Sequence, residues 1–297
     1  MEKRERFMGV NSIRFYKQFP DEKSCYGYMA AIKWKDGYVC KKCSHTNYYA
    51  GRKPYSLHCT RCKYDESPTS GTMFEKCKFS LHVAFHLVFK ISTKKKGMSS
   101  LKLSHEFDLR RKTCWEFKRK IQQAMHSSMK QPLTSTVHVD EFFVGEYEEV
   151  LPGHSSESRK RLVVVALEIL GKGGVSRAYA KVIDHASGNE FKPFFKDYIS
   201  LEAHVVTDEW KGYLPLKKEY VYLEQKPSGK ENSFPELHIH IMNIQGWLRG
   251  IHHHCSKEHL QGYLDEYHYR HNRRNHMDTI FDNLIVRMIE YDPAKRV

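Results

Sequence analysis

Apolar residues recur at helical intervals in the first 39 positions. In DEKSCYGYMAAIKW, Cys25, Tyr28, Met29 and Ile32 share one helical face, so the segment predicts one or two short helices. Between 40 and 77 that period gives way to Cys, Gly, Lys and Tyr, a composition suited to short strands and turns. Helical spacing returns from Leu81 to Ile91, pauses at STKKKGMSS, and resumes as two helices from Ser99 to Met125. Past KQPLTST (130–136) the period changes again. TVHVDEFFVG, RLVVVALEIL and SRAYAKVID are three successive strand candidates. GNEFKPFFKDYIS (188–200) suits a helix, while AHVVTD (203–208) and YVYLE suit short strands. The C-terminal third is helical, with Leu260, Tyr263, Leu264 and Tyr267 at i, i+3, i+4 and i+7. This order predicts an α/β layer fold.

Charge narrows the class of partner. The 49 Lys and Arg outnumber the 35 Asp and Glu, for a net charge of +14, which fits a polyanion and above all nucleic acid. No apolar run reaches about 18 residues, so a membrane span is not expected. The opening MEKRERFMGVNSIRF lacks the apolar stretch and cleavage site of a signal peptide. A cytoplasmic location follows as the expectation, with nucleoid association when bound to DNA. The eight cysteines then read as metal ligands or buried thiols before disulfides.

Four of them have metal spacing. Cys40 and Cys43 in CKKC are separated by fifteen residues from Cys59 and Cys62 in CTRC. Each pair can turn two thiolates toward one tetrahedral ion, and four thiolates leave no open position, so a structural Zn²⁺ is expected. His45 and His58 are spare donors nearby, better suited to supporting or surface roles. Cys25, Cys77, Cys114 and Cys255 have no paired spacing and read as buried thiols.

The stretch from Gly97 to Met125 has the cadence of a helix-turn-helix. Leu101, Leu103 and Phe107 form an inner face, DLRRKT supplies the turn, and Lys112 or Thr113 opens a second helix with Trp115, Phe117 and Ile121. Arg110, Arg111, Lys112, Lys118, Arg119 and Lys120 surround that helix, as a DNA-groove element would have them. An amphipathic helix pair with a solvated basic face is the competing reading.

In TVHVDEFFVGE two carboxylates sit within an apolar strand, a costly placement unless something pairs with them. Alternation puts Val137, Val139, Glu141 and Phe143 on one face and His138, Asp140, Phe142 and Val144 on the other. Asp208 closes the strand AHVVTD just before a turn. Two such Asp on neighbouring strands could hold Mg²⁺ through oxygen, although either alone could be a cap or turn residue.

These motifs, in this order, resemble insertion-sequence transposases of the ISXO-like group. That family joins an N-terminal zinc ribbon to a DDE-type catalytic domain of ribonuclease-H-like fold. FPDEKSCYGYMAAIKWKDGYVCKKC is similar to the family's opening, and SGTMFEKCKFSLHVAF to the join from ribbon to helix. VHVDEFFVG is similar to the first catalytic strand, VVTDEWKGY to the second catalytic segment, and KEHLQGYLDEYHYRHNRR to the C-terminal helix. The resemblance implies a ribonuclease-H-like mixed sheet flanked by helices, preceded by a zinc ribbon and a helix-turn-helix. The implied domains are 1–77 (helices and ribbon), 78–130 (helix-turn-helix) and 131–297 (catalytic).

It also implies catalytic Mg²⁺ or Mn²⁺ on Asp140 and Asp208. The third acidic position departs from the usual pattern: Asn243 stands 35 positions after Asp208, as it does in related branches. An Asn carbonyl can ligate Mg²⁺, with less charge than Glu. His238, His240 and Glu236 are its rivals, and Glu141 and Glu209 read as supporting or surface groups. Arg249, after Trp247, suits contact with DNA phosphate, and the run His252–His254 reads as a turn. The implied activity is hydrolysis at element-end inverted repeats and joining of the 3′-OH to target DNA. The partners are double-stranded DNA and a second copy of the chain. A catalytically degenerate DNA-binding regulator and a nuclease without strand transfer are the alternatives.

Overall fold

The computed structural model describes residues 5–126, 131–145, 160–227, 234–252 and 255–291. His253 and His254 of the histidine run lie outside them. The chain divides into two compact units, Met1–Met125 with Asn275–Val297, and His126–Arg274.

The first unit begins with α1 (Ser12–Gln18) and α2 (Glu22–Lys33). Asp21 caps α2 through the Ser24 amide, and Ser24 answers the Asp21 amide, a reciprocal capping box that fixes where the helix starts. The predicted face of Cys25, Tyr28, Met29 and Ile32 is buried. A three-stranded antiparallel sheet follows, β1 (Tyr48–Ala50), β2 (Leu57–Cys59) and β3 (Asp65–Glu66). Lys33 pairs with buried Glu66 at 2.7 Å and ties α2 to that sheet.

Then come α3 (Leu81–Thr93), α4 (Ser100–Phe107) and α5 (Arg111–Met125). Asp108 ends α4 in the left-handed conformation at φ 49°, a reversal that Asp tolerates better than most residues, so α5 can open at Arg111. The start is one or two residues earlier than the sequence suggested. Leu103 is buried as expected, but Leu101 is exposed, because the short helix α4 buries only a narrow stripe.

The second unit holds β4 (Thr136–Val144), β5 (Arg161–Leu170), β6 (Gly174–Ile183), α6 (Gly188–Tyr198), β7 (His204–Thr207) and β8 (Leu223–Gln225). It closes with α7 (Pro235–Ile251) and α8 (Lys257–His271). The sheet order is β6-β5-β4-β7-β8, antiparallel from β6 to β4 and parallel from β4 to β8. That is the mixed, ribonuclease-H-like sheet. β4 lies at its centre and is covered on both sides, as its two partly apolar faces predicted. Val137 and Val139 pack with Phe191, Phe194 and Tyr213, while Phe142 and Val144 pack with Leu237, Ile244 and Leu264. β8 begins at Leu223, so only the end of YVYLE is strand; Val221 and Tyr222 before it are exposed.

The final helix, α9 (Ile280–Glu290), corrects the expected catalytic span of 131–297. It belongs to the first unit. Phe281 is fully buried in an aromatic cluster with Phe7, Phe15, Phe19, Phe85 and Phe89. Buried Asp282 accepts hydrogen bonds from Arg6 Nε at 2.7 Å and from the Tyr28 hydroxyl. Apolar burial and a satisfied buried carboxylate together hold α9 there.

Candidate metal centres and nucleic-acid face

The two C-x2-C segments form matching loops. Ser44 donates its amide to the Cys40 carbonyl at 2.8 Å, and Lys63 does the same to Cys59 at 3.1 Å. Both Ser44 and Lys63 take positive φ, near 57° and 59°. The Cys40 and Cys59 amides in turn donate to His45 and Tyr64, each at 2.9 Å. Backbone geometry thus aims each pair of thiols inward. Cys40 Sγ lies 3.5 Å from Cys62 Sγ and Cys43 Sγ 3.6 Å from Cys59 Sγ, with all four within 4.8 Å of one another. Sulfurs about 2.3 Å from a tetrahedral zinc would be roughly 3.8 Å apart, so the cluster fits that ion. The expected spare donors are otherwise engaged: His45 bonds Thr60 Oγ1 at 3.0 Å and His58 stacks on Tyr49.

The second centre lies on the sheet. β4 and β7 run parallel, with His138 opposite Val206. Asp140 lies two residues further along β4, and Asp208 directly follows Thr207, the last residue of β7. Asp140 Oδ1 accepts the Glu141 amide at 2.8 Å, and its other oxygen faces His238 Nε2 at 3.6 Å. Burial raises the Asp140 pKa, and the nearby charge of Asp208 adds to the rise, against the Glu141 amide and His238. Asp208 ends β7 because its Oδ1 accepts the Trp210 amide at 3.1 Å, a side-chain turn that interrupts the ladder. Gln225 on β8 fixes this corner by donating to the carbonyls of Asp208 and Trp210 at 3.0 and 3.1 Å.

Glu141 points to the opposite side of the sheet from Asp140, as strand alternation requires. There the buried Tyr213 hydroxyl donates to its carboxylate at 2.6 Å. Burial pushes the Glu141 pKa up to about 7, with Asp140 and Asp208 contributing in the same direction. Glu209 is exposed.

Two half-buried carboxylates that repel each other suit a hard divalent cation through oxygen ligation. Among the described residues, however, only the four cysteines bring three or more donors within 4.8 Å of one another. Asp140, Asp208 and His238 face one region without closing on one point.

Asn243 is carried by α7, the helix that also carries His238. It lies on the exposed side of α7, whereas His238 is the α7 residue facing Asp140. Five residues of α-helix rotate about 500°, which leaves the two side chains about 140° apart around the axis. The helix cannot turn to present Asn243 without withdrawing Leu237, Ile241, Ile244 and Leu248 from the core. His240, a rival, is buried with its Nε2 3.2 Å from His268 Nε2. Glu236, the other, has its carboxylate beside Gly173 in the turn after β5. Arg249 is exposed in the last turn of α7.

On α5 the basic residues divide. Arg110 precedes the helix and is exposed, as are Arg111 and Lys112 within it, and Arg119 is half-buried. Lys118 is buried, with its ammonium donating to the Met98 carbonyl at 2.7 Å, so it serves packing and not DNA contact. The expectation for Lys118 fails because it falls on the inner stripe with Cys114, Phe117 and Ile121. Trp115, on the same helix, is partly exposed on the side of Arg111 and Lys112. The i, i+3, i+4 arithmetic could have separated 111, 112, 115 and 119 from 114, 117, 118 and 121.

Comparisons with known proteins bear on the family. Residues 132–272 match the ISXO2-like transposase domain, a DDE transposase domain of the IS1595 type. Residues 20–65 match the transposase zinc-ribbon domain. Together these span more than half of the chain, which belongs to the insertion-sequence transposases that carry a zinc ribbon before a DDE-type domain. A solved structure, described as a pre-cleavage Mos1 transpososome, overlaps 66% of this chain and 76% of its own at 9% identity and a TM-score of 0.27. No curated protein matches the chain. Among the described residues, no helix is long and apolar enough to cross a membrane.

Proposed function

We propose that this protein is an active DNA transposase whose second unit cuts element ends and joins them to target DNA. The observation that supports the reading is the placement of Asp140 on β4 and of Asp208 directly after the end of β7, its parallel neighbour. These two side chains would hold Mg²⁺ or Mn²⁺, and Asn243 would have to reach the centre by a rearrangement of α7. When bound, a pair of such ions activates water and stabilises the leaving oxygen in phosphodiester chemistry. The protein's own contribution is to hold the carboxylates rigidly. Gln225 anchors the Asp208 corner, and Tyr213 pins Glu141 away from Asp140.

Arg110, Arg111, Lys112 and Arg119, with the zinc ribbon, would grip the terminal inverted repeats of double-stranded DNA. Contacts of this kind position the duplex through its phosphates. Arg249 would meet phosphate near the cleavage site. Cutting two ends together calls for at least two copies on DNA, in the cytoplasm and on the nucleoid. The neutral, outward-facing Asn243 favours one second reading, a regulator that binds the same DNA without cutting it.

Element-end duplex with Mg²⁺ or Mn²⁺ separates these. The wild type is expected to nick the end and join it to target, while Asp140→Asn and Asp208→Asn bind the duplex without cutting it. Binding without any nicking by the wild type would establish the regulator, and nicking without joining would establish a nuclease.

A further inference from the structure

We propose that His238 is a direct ligand of the metal centre, sharing one ion with Asp140. The inference rests on the reading that Asp140 and Asp208 bind metal, and it assigns the contribution of α7 to a residue other than Asn243. The separation of 3.6 Å between His238 Nε2 and Asp140 Oδ2 is that of a loose ion pair, slightly beyond a good hydrogen bond. It is close to the span of two donors on one ion. Ligands about 2.1 Å from a cation and 90–110° apart lie roughly 3.0–3.5 Å from each other.

The position of His238 is fixed by the helix that carries it. Pro235 starts α7, a residue pre-set for the first helical turn, and Leu237, Ile241, Ile244 and Leu248 are buried against the sheet. His238 stands at the edge of that buried stripe, where its side chain remains 43% exposed. The Phe234 ring stands edge-on to it at 6.3 Å and to His138 at 5.3 Å, which limits how far the imidazole can swing. The other α7 candidates have different surroundings. His240 is engaged with His268, Glu236 lies beside Gly173, and Asn243 faces outward.

An imidazole among carboxylates shifts the choice of ion. Nitrogen ligation favours Mn²⁺ over Mg²⁺, since Mg²⁺ strongly prefers oxygen. The centre assigned here is thus a mixed oxygen and nitrogen site with a preference for Mn²⁺.

The test uses the full chain with its ribbon loaded with zinc, Mn²⁺ as the probe, and electron spin-echo spectroscopy. Bound Mn²⁺ is expected to show coupling to one directly ligated imidazole ¹⁴N. His238→Ala should remove that coupling and weaken Mn²⁺ binding about 10-fold or more. His238→Gln, which offers an oxygen donor, should recover part of the affinity without the coupling. If Mn²⁺ binds and is lost in Asp140→Asn, yet the ¹⁴N coupling is absent or survives in His238→Ala, the assignment of His238 is wrong and the carboxylate reading stands. If Asp140→Asn and Asp208→Asn bind Mn²⁺ as the wild type does, both readings fall.

Discussion

The thiolates of the ribbon converge within 4.8 Å on loops locked by backbone hydrogen bonds, whereas Asp140 on β4 and Asp208 just after β7 do not close on a point with His238. In the ribbon the metal-binding geometry is written into two identical turns, and four ligands exclude anything else from the ion. On the sheet, the fold keeps two carboxylates near each other against their repulsion. A centre that holds a fold can be complete in the protein alone. On the sheet, burial and the neighbouring charge of Asp208 raise the Asp140 pKa instead.

The largest effect should separate these centres by sign. Cys59→Ser should lose zinc and unfold the ribbon, since metal binding in such small sites contributes on the order of 10 kcal/mol of folding free energy. Zinc content and proteolysis around 40–66 would report it. Asp140→Asn should leave folding intact or slightly improved, because it removes a charge that burial and Asp208 both disfavour. A folded, zinc-containing Cys59→Ser protein, or an unfolded Asp140→Asn protein, would break the comparison.

A third cluster is closed by hydrogen bonds instead of metal. His268 Nδ1 donates to the Leu264 carbonyl at 2.8 Å, which leaves its Nε2 to accept from His240 Nε2. That tautomer assignment follows from the network. Burial drives the His268 pKa down to about 4 and that of His271 down to about 3. The folded state therefore favours neutral rings. Stability from His268 should be complete above about 6.5 and fall as pH drops from there toward 4, because the unfolded chain binds the extra proton first. The loss is on the order of 2 kcal/mol by pH 5 for this one group. Urea midpoints between pH 7.5 and 5 would measure it, and a flat profile would contradict it.

The smallest contrast lies within α5. Lys118→Ala should destabilise the first unit by about 1–3 kcal/mol, since it strips a buried carbonyl of its donor. Lys112→Ala should cost under about 0.5 kcal/mol of stability and weaken DNA binding uniformly, with the salt slope reduced by about one. Melting curves and salt-dependent binding would separate the two. Equal effects on DNA would refute the division of the helix into an inner and an outer stripe.

Periodicity revealed much of this fold because the elements bury a face each. The helical face of Cys25, Tyr28, Met29 and Ile32, the strands around Asp140, and the four-cysteine spacing were all legible in the chain. What escaped depends on relations between distant segments. Nothing local to IFDNLIVRMIE announces that Phe281 completes an aromatic cluster with Phe7 and Phe85. Lys118 looked like its charged neighbours until the register of α5 placed it on the buried stripe. Asn243 had the right separation from Asp208, but a separation along the chain does not fix a direction around a helix. The packing of Leu237, Ile241, Ile244 and Leu248 does, and it turns His238 toward the carboxylate.

The central claim is that Asp140 and Asp208 form the metal-binding heart of the second unit. Anomalous diffraction from crystals of the zinc-loaded protein soaked in Mn²⁺ tests it most directly. A manganese peak touching both carboxylates, absent from Asp208→Asn crystals, is the predicted result; manganese that binds elsewhere, or leaves this pair empty at saturating concentration, would contradict it.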